Sequence, residues 1–175
     1  MKKFFCISLL LLSSLAGFSQ TNQEASVEKS VFGVQVGLIG VWAHHELKLT
    51  NQVALRSEFG IAGVNTDVIA PLVGLEPRWY YNLNKRLAKG KRIDGNSGNY
   101  ISLRANYYFY DDTDVEQRNE DYFLLAPTWG IRRNLGKHFN YEVGGGVGLG
   151  LFNNKSNRKD VGFTTYVNLK FGYRF

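Results

Sequence analysis

The richest set of side chains able to do chemistry here is charged: Glu46, Lys48, Arg56, Glu58, Glu76, Arg78, Arg104, Arg132, Glu142, Lys170 and Arg174. Each falls on the polar phase of a stretch whose alternate residues are apolar. In an extended strand successive side chains point to opposite faces, so all of these charges are expected on one side of a sheet. Buried together they must pair, because an isolated buried charge is costly.

The smaller groups carry weaker signals. His44 and Glu46 would share a strand face, with His45 opposite, but two ligands without a third at a recognisable spacing do not specify a metal. Residues 111–121 hold Asp111, Asp112, Asp114, Glu116, Glu120 and Asp121 against Arg118 and read as a solvated loop, since the glycine and terminal acid of an EF-hand are missing. Lys155, Arg158 and Lys159, against Asp160, form a basic group suited either to phosphate or simply to solvation. Residues 85–92 contain Lys85, Arg86, Lys89, Lys91 and Arg92, a cationic stretch read as a solvated turn or as a dock for an acidic partner or anionic lipid. Gly144-Gly145-Gly146, Gly148 and Gly150 resemble a phosphate loop only on the surface. They alternate with Val147, Leu149 and Leu151, as in a strand that makes room or bends.

The elements that position these groups are strands. The period of two runs through residues 53–61, 73–83, 100–110, 122–132, 139–152 and 161–175. Between Val31 and Leu49 the apolar phase switches near Ile39-Gly40. A tight turn there gives eight strands in all, a bulge seven; an even number favours eight. Pro77 and Pro127 fall inside strands, where each predicts a bulge.

Residues 1–19 read as an export signal: Lys2 and Lys3, an apolar run to Leu15, then Ala16, Gly17 and Ser19. Residues 20–30 read as a polar linker and 31–175 as one domain. Cys6 is the only cysteine and lies in the signal, which leaves the exported chain without disulfides or thiolate sites. Without Lys2 and Lys3, 19 basic residues stand against 15 acidic ones, too small an excess to suggest nucleic acid. No apolar run is long enough for a membrane helix, but alternating strands would hide an apolar outer face from such a test.

With the signal, the strands over residues 31–175 and the closing Phe171-Gly172-Tyr173-Arg174-Phe175, the chain resembles the small outer-membrane β-barrels of Gram-negative bacteria, the group that includes the OmpA transmembrane domain. The resemblance implies an all-β, closed, antiparallel up-and-down barrel in the outer membrane, with Tyr173 and Phe175 as the signal read by the barrel-assembly machinery. It implies outer-membrane lipid as surroundings and lipopolysaccharide as a contact for Lys155, Arg158 and Lys159. Trp79, Tyr81, Trp129 and Tyr141 would form a periplasmic-side aromatic girdle. Arg56, Glu58, Glu76, Arg78, Arg104, Arg132, Glu142 and Lys170 would fill the lumen as a salt-bridged network, an eight-stranded barrel being just wide enough for side chains.

The expected function is non-enzymatic, in envelope structure or surface interaction, with no cofactor and no nucleic acid. The alternatives are a barrel enzyme acting on membrane lipids and an exported soluble barrel holding a small apolar ligand; an acidic periplasmic partner at 85–92 is a further expectation.

Overall fold

The computed structural model describes residues 24–65, 68–109, 122–153 and 159–175. Eight strands account for most of them: β1 (Ser30–Gly37), β2 (Gly40–Lys48), β3 (Val53–Asn65), β4 (Val68–Trp79), β5 (Asn99–Tyr108), β6 (Tyr122–Leu135), β7 (Phe139–Asn153) and β8 (Lys159–Arg174). Each pairs antiparallel with the next, and β8 returns to β1, where Val34 faces Tyr173 and Val36 faces Phe171. The result is a closed up-and-down barrel with no free sheet edge.

The change of phase between Val31 and Leu49 is a change of direction. Val36 faces Val41 and Gly37 faces Gly40, leaving Leu38 and Ile39 as a two-residue turn. Paired residues on β1 and β2 therefore have opposite parity, so even positions of β1 and odd positions of β2 point outward together.

The bulges expected at Pro77 and Pro127 do not form. Leu75 faces Ala105 and Arg78 faces Ser102 between β4 and β5, while Leu125 faces Leu149 and Thr128 faces Gly146 between β6 and β7. Register is unchanged across each gap. Pro77 still pairs with Leu55 and Pro127 with Leu103 on the other side. An antiparallel residue directs its N–H toward only one neighbour, so a proline can interrupt a single ladder without adding a residue to the strand. The register shift that does occur is between Gly63 and Asn65.

Glycine instead shapes the β6–β7 seam. A Cβ at Gly146 would fall on the Pro127 carbonyl and one at Gly148 on the Leu125 carbonyl. These glycines permit a close approach of two backbones, as the strand reading expected of them.

The segment before β1 and the residue after β8 lie at the same end, called here the lower end. The segment before β1 is more than a linker. Ala25 and Val27 are buried, Val27 N–H donates to the Asn51 carbonyl at 2.8 Å, and Lys48 N–H donates to the Lys29 carbonyl at 3.0 Å. The 84–98 connection is also not a solvated turn. The whole connection, residues 80–98, contains helix α1 (Leu83–Ala88) and a 3-10 turn (Asp94–Asn96), and it buries Leu83, Asn96 and Ser97. With residues 24–29 it forms a cap over the lower end. Its apolar core is Ala25, Val27, Ala54, Tyr80, Leu83 and Tyr100, with Leu87 and Ile93 against them.

The barrel's polarity is the reverse of a soluble protein's. Outward positions carry Phe32, Val34, Phe59, Ile61, Val73, Leu75, Leu103, Val147, Phe163, Val167 and Phe171, all exposed. Among the described outward side chains of the strands only Arg133, at the lower end, is charged.

Candidate functional site

The middle of the lumen holds four glutamates, four arginines and one lysine, all buried: Glu46, Glu58, Glu76, Glu142, Arg56, Arg78, Arg104, Arg132 and Lys170. Eight of these are the predicted lumen network, and Glu46 was on the wider inward set. Alternation on seven of the strands, β2 to β8, delivers them to one level. Glu46 accepts from Arg56 at 3.2 Å, Arg78 at 3.1 Å and Arg132 at 2.6 Å. Glu142 sits opposite and meets the same three arginines, at 3.2, 3.2 and 3.4 Å. Glu58 takes Arg56 at 2.9 Å, Arg104 at 3.2 Å and Lys170 at 3.1 Å. Glu76 takes Arg78 at 2.9 Å and also Arg104, with Ser102 donating at 2.6 Å. Each arginine thus bridges at least two carboxylates. Such sharing lets the Coulombic attraction offset a desolvation cost that a lone buried pair would not recover.

Aromatic rings bound this layer on both sides. Toward the lower end the Arg78 guanidinium lies 4.2 Å from the centre of the Tyr100 ring, and Tyr80 OH donates to Glu46 at 3.0 Å. Toward the upper end Arg104 lies 4.7 Å from the Tyr166 ring centre, and Lys170 4.0 Å from that of Trp42. Beyond them Trp42, Leu72, Tyr108, Leu124 and small alanines form a second apolar cluster. Neutral polar residues that the strand reading did not single out complete the network. Gln35 accepts from Arg56 at 2.6 Å and donates to Asn140 at 2.9 Å.

His44 lies inside as expected, yet its Nε2 is 3.3 Å from an Arg132 nitrogen. A guanidinium can only donate, so that nitrogen carries no proton and faces a cation. His45 points outward and its Nε2 bonds Ser30 Oγ at 2.8 Å. Among the described residues no group of three His, Cys, Asp or Glu is arranged to hold a metal.

Lys48 and Arg174, also on the inward set, sit at the lower rim and serve the cap. Lys48 donates to Ser26 and Asn51 at 2.7 and 2.9 Å. Arg174 bridges Glu28 and Asp94, each at 3.0 Å, and Arg92 donates to Asp94 at 2.7 Å. The Arg92 and Arg174 guanidiniums hold the Asp94 carboxyl below its ordinary range. The deepest cap contact is Asn96, whose side-chain amide donates to Glu46 at 2.7 Å. Sequence reasoning missed this cap. Leu83, Leu87 and Ile93 inside an otherwise polar connection were the signal for it.

The four girdle residues gather at the lower end. Trp79 and Tyr81 rings lie 6.0 Å apart, Trp129 Nε1 donates to Tyr81 OH at 2.9 Å, and Tyr141 lies 6.3 Å from Phe171. Tyr173 and Phe175, the predicted assembly signal, are exposed and continue the ring: Phe139–Tyr173, Tyr173–Phe175 and Phe175–Phe32 separations are 5.5, 5.3 and 5.4 Å. No family model, curated protein or solved structure matches this chain.

The acidic stretch 111–121 and residues Lys155 and Arg158 lie outside the described residues, as does the signal at 1–19; the side chain of Lys159 does too. In the 85–92 stretch, Arg86 and Arg92 are used within the cap, whereas Lys85, Lys89 and Lys91 are exposed and make no ion pair among the described residues. What the lumen can do chemically is hold its own charges in fixed pairs. Its carboxylates already have cationic partners.

Proposed function

We propose that this protein is an outer-membrane β-barrel with a side-chain-filled polar lumen, non-enzymatic, serving envelope structure or surface interaction. One observation carries the reading: an outer wall of exposed aliphatic and aromatic residues whose only described charge is Arg133, around an interior that holds nine buried charges. In water such a wall would be an aggregation surface, whereas hydrocarbon solvates it. The aromatic ring at the lower end then marks a membrane–water boundary. In the proposed orientation the lower end faces the periplasm, and β8 presents Tyr173 and Phe175 to the assembly machinery. The exposed Lys85, Lys89 and Lys91 would meet any acidic periplasmic partner, and Lys155, Arg158 and Lys159 would meet lipopolysaccharide phosphates.

The three tryptophans allow a direct test. Trp42 is buried in the lumen, while Trp79 and Trp129 are exposed on the outer wall. In vesicles of brominated phosphocholine, Trp79 and Trp129 fluorescence is expected to be quenched most by bromines near the headgroup, with Trp42, in a Trp79→Phe, Trp129→Phe variant, quenched least. The protein should also migrate differently on gels before and after heating and fractionate with outer membranes. A barrel that folds without lipid and shows no quenching would end this reading.

A further inference from the structure

Arg133 stands in the wrong place for a wall solvated by hydrocarbon. It lies beside Tyr141 in the β6–β7 register. Its guanidinium donates to the carbonyls of Gly98 and Arg132 at 2.8 and 2.7 Å and to Asn99 Oδ1 at 2.5 Å. Asn99 in turn donates to Tyr81 OH at 3.3 Å, which ties the cluster to the aromatic ring. Arg86 of α1 approaches the same stretch, donating to Ser97 Oγ at 3.3 Å and to the Arg92 carbonyl at 2.8 Å. The two arginines are half-buried and within electrostatic reach of each other and of Tyr141.

Every acceptor they use is neutral, and among the described residues neither makes an ion pair. Asp94, the one acid between residues 80 and 98, is turned to Arg92 and Arg174 instead. Arg86 Nη1 and Arg133 Nε make no bond among the described residues, and Lys85 and Lys89 are exposed near Arg86 along the chain. Two like charges held together, with donors to spare and no acid between them, call for an anion from outside the chain.

We propose that Arg86 and Arg133 form a phosphate site that holds the headgroup of an anionic phospholipid at the lower membrane boundary. The inference rests on the membrane reading above. A planar guanidinium suits phosphate oxygens, and the surrounding Tyr81, Trp129 and Tyr141 put the pair at headgroup depth. The charges need not enter hydrocarbon.

The full chain, refolded into vesicles of phosphocholine mixed with phosphatidylglycerol, is extracted and its retained lipid read by native mass spectrometry. The wild type is expected to retain phosphatidylglycerol over phosphocholine. Arg86→Gln with Arg133→Gln should lower that preference roughly thirtyfold, and Arg86→Gln alone about fivefold. Lys137→Gln, exposed at the same end, should keep it, and Arg133→Lys should keep most of it. Heat-modifiable mobility checks that each variant folds; should the double variant fail, the Arg86→Gln single variant decides. Equal retention by wild type and variants, or no preference in the wild type, overturns the site while leaving the membrane reading intact. Retention of inorganic phosphate as tight as that of the lipid overturns the lipid assignment. Failure of every variant and the wild type to enter any vesicle removes both readings.

Discussion

Asn96, in the cap, donates its side-chain amide to Glu46 in the middle of the barrel at 2.7 Å. That bond crosses from a connection into the charged layer, so the lower closure and the lumen network share a carboxylate. Asn96 also has φ of 58°, a left-handed backbone that asparagine and glycine tolerate better than other residues.

Substituting Asn96 therefore separates two contributions. Asn96→Gly keeps the backbone and loses the bond to a charged acceptor, at about 1.5–3 kcal/mol, together with the one its Oδ1 accepts from Glu28 N–H at 2.8 Å. Asn96→Ala loses the bond and adds left-handed strain, about 1–2 kcal/mol more. Urea unfolding in vesicles, with proteolysis of the 84–98 connection as a second readout, should rank wild type above Gly above Ala. Equal stability of the two variants would show that the backbone conformation costs nothing.

Removing a shared cation from the lumen should cost far more than removing a surface charge. Arg132→Met leaves Glu46 and Glu142 each short of one partner and is expected to destabilise by about 3–5 kcal/mol, as for other broken buried ion pairs. Planar-bilayer recordings of the wild type should show no stable conductance, because side chains fill the charged layer. Stable, sizeable conductance from pure refolded protein would reject the filled-lumen arrangement.

The cap should loosen in acid. Asp94 has its carboxyl lowered by Arg92 and Arg174, so the folded state favours the ionised form. Its contribution is fully present above the unfolded carboxylate value of about 3.9 and is lost as pH falls through the lower folded value. Protection of the 84–98 connection from an acid-tolerant protease should thus exceed that of Asp94→Asn at neutral pH, and the two should converge as pH falls through the lowered folded value. A constant difference across that range would show that Asp94 does not titrate with the cap.

The glycines should fail in two different ways. Gly146→Ala drives a methyl into the Pro127 carbonyl, which is backbone, and is expected to abolish the folded band on unheated gels. Gly130→Ala meets the Tyr100 ring, a side chain, so shortening that residue in a Gly130→Ala, Tyr100→Leu double variant should restore folding in part. Rescue of Gly146→Ala by the same Tyr100 change would contradict the assignment.

Much of this architecture was legible because a two-residue period has one physical meaning. Val161, Phe163, Val167 and Phe171 alternating with Asn168 and Lys170 can only be a strand with unlike faces. The same parity placed Arg56, Glu76, Arg104 and Glu142 together before any contact was known. The prolines misled, because Pro77 and Pro127 signal a lost N–H but not the direction in which it pointed. Leu83, Leu87 and Ile93 hint at a buried face in the cap, but its contacts were illegible because they run between segments far apart in the chain, such as Glu28 with Arg174 and Ala25 with Asn84.

By itself, then, the sequence determined which residues face inward and outward, since side-chain direction follows from the local backbone. Only the tertiary structure decided which carboxylate meets which guanidinium, that residues 24–29 and 80–98 seal one end, and that Arg86 comes to lie beside Arg133. Those relationships depend on strand register and closure, which bring distant residues to the same level of the barrel and which no local pattern encodes.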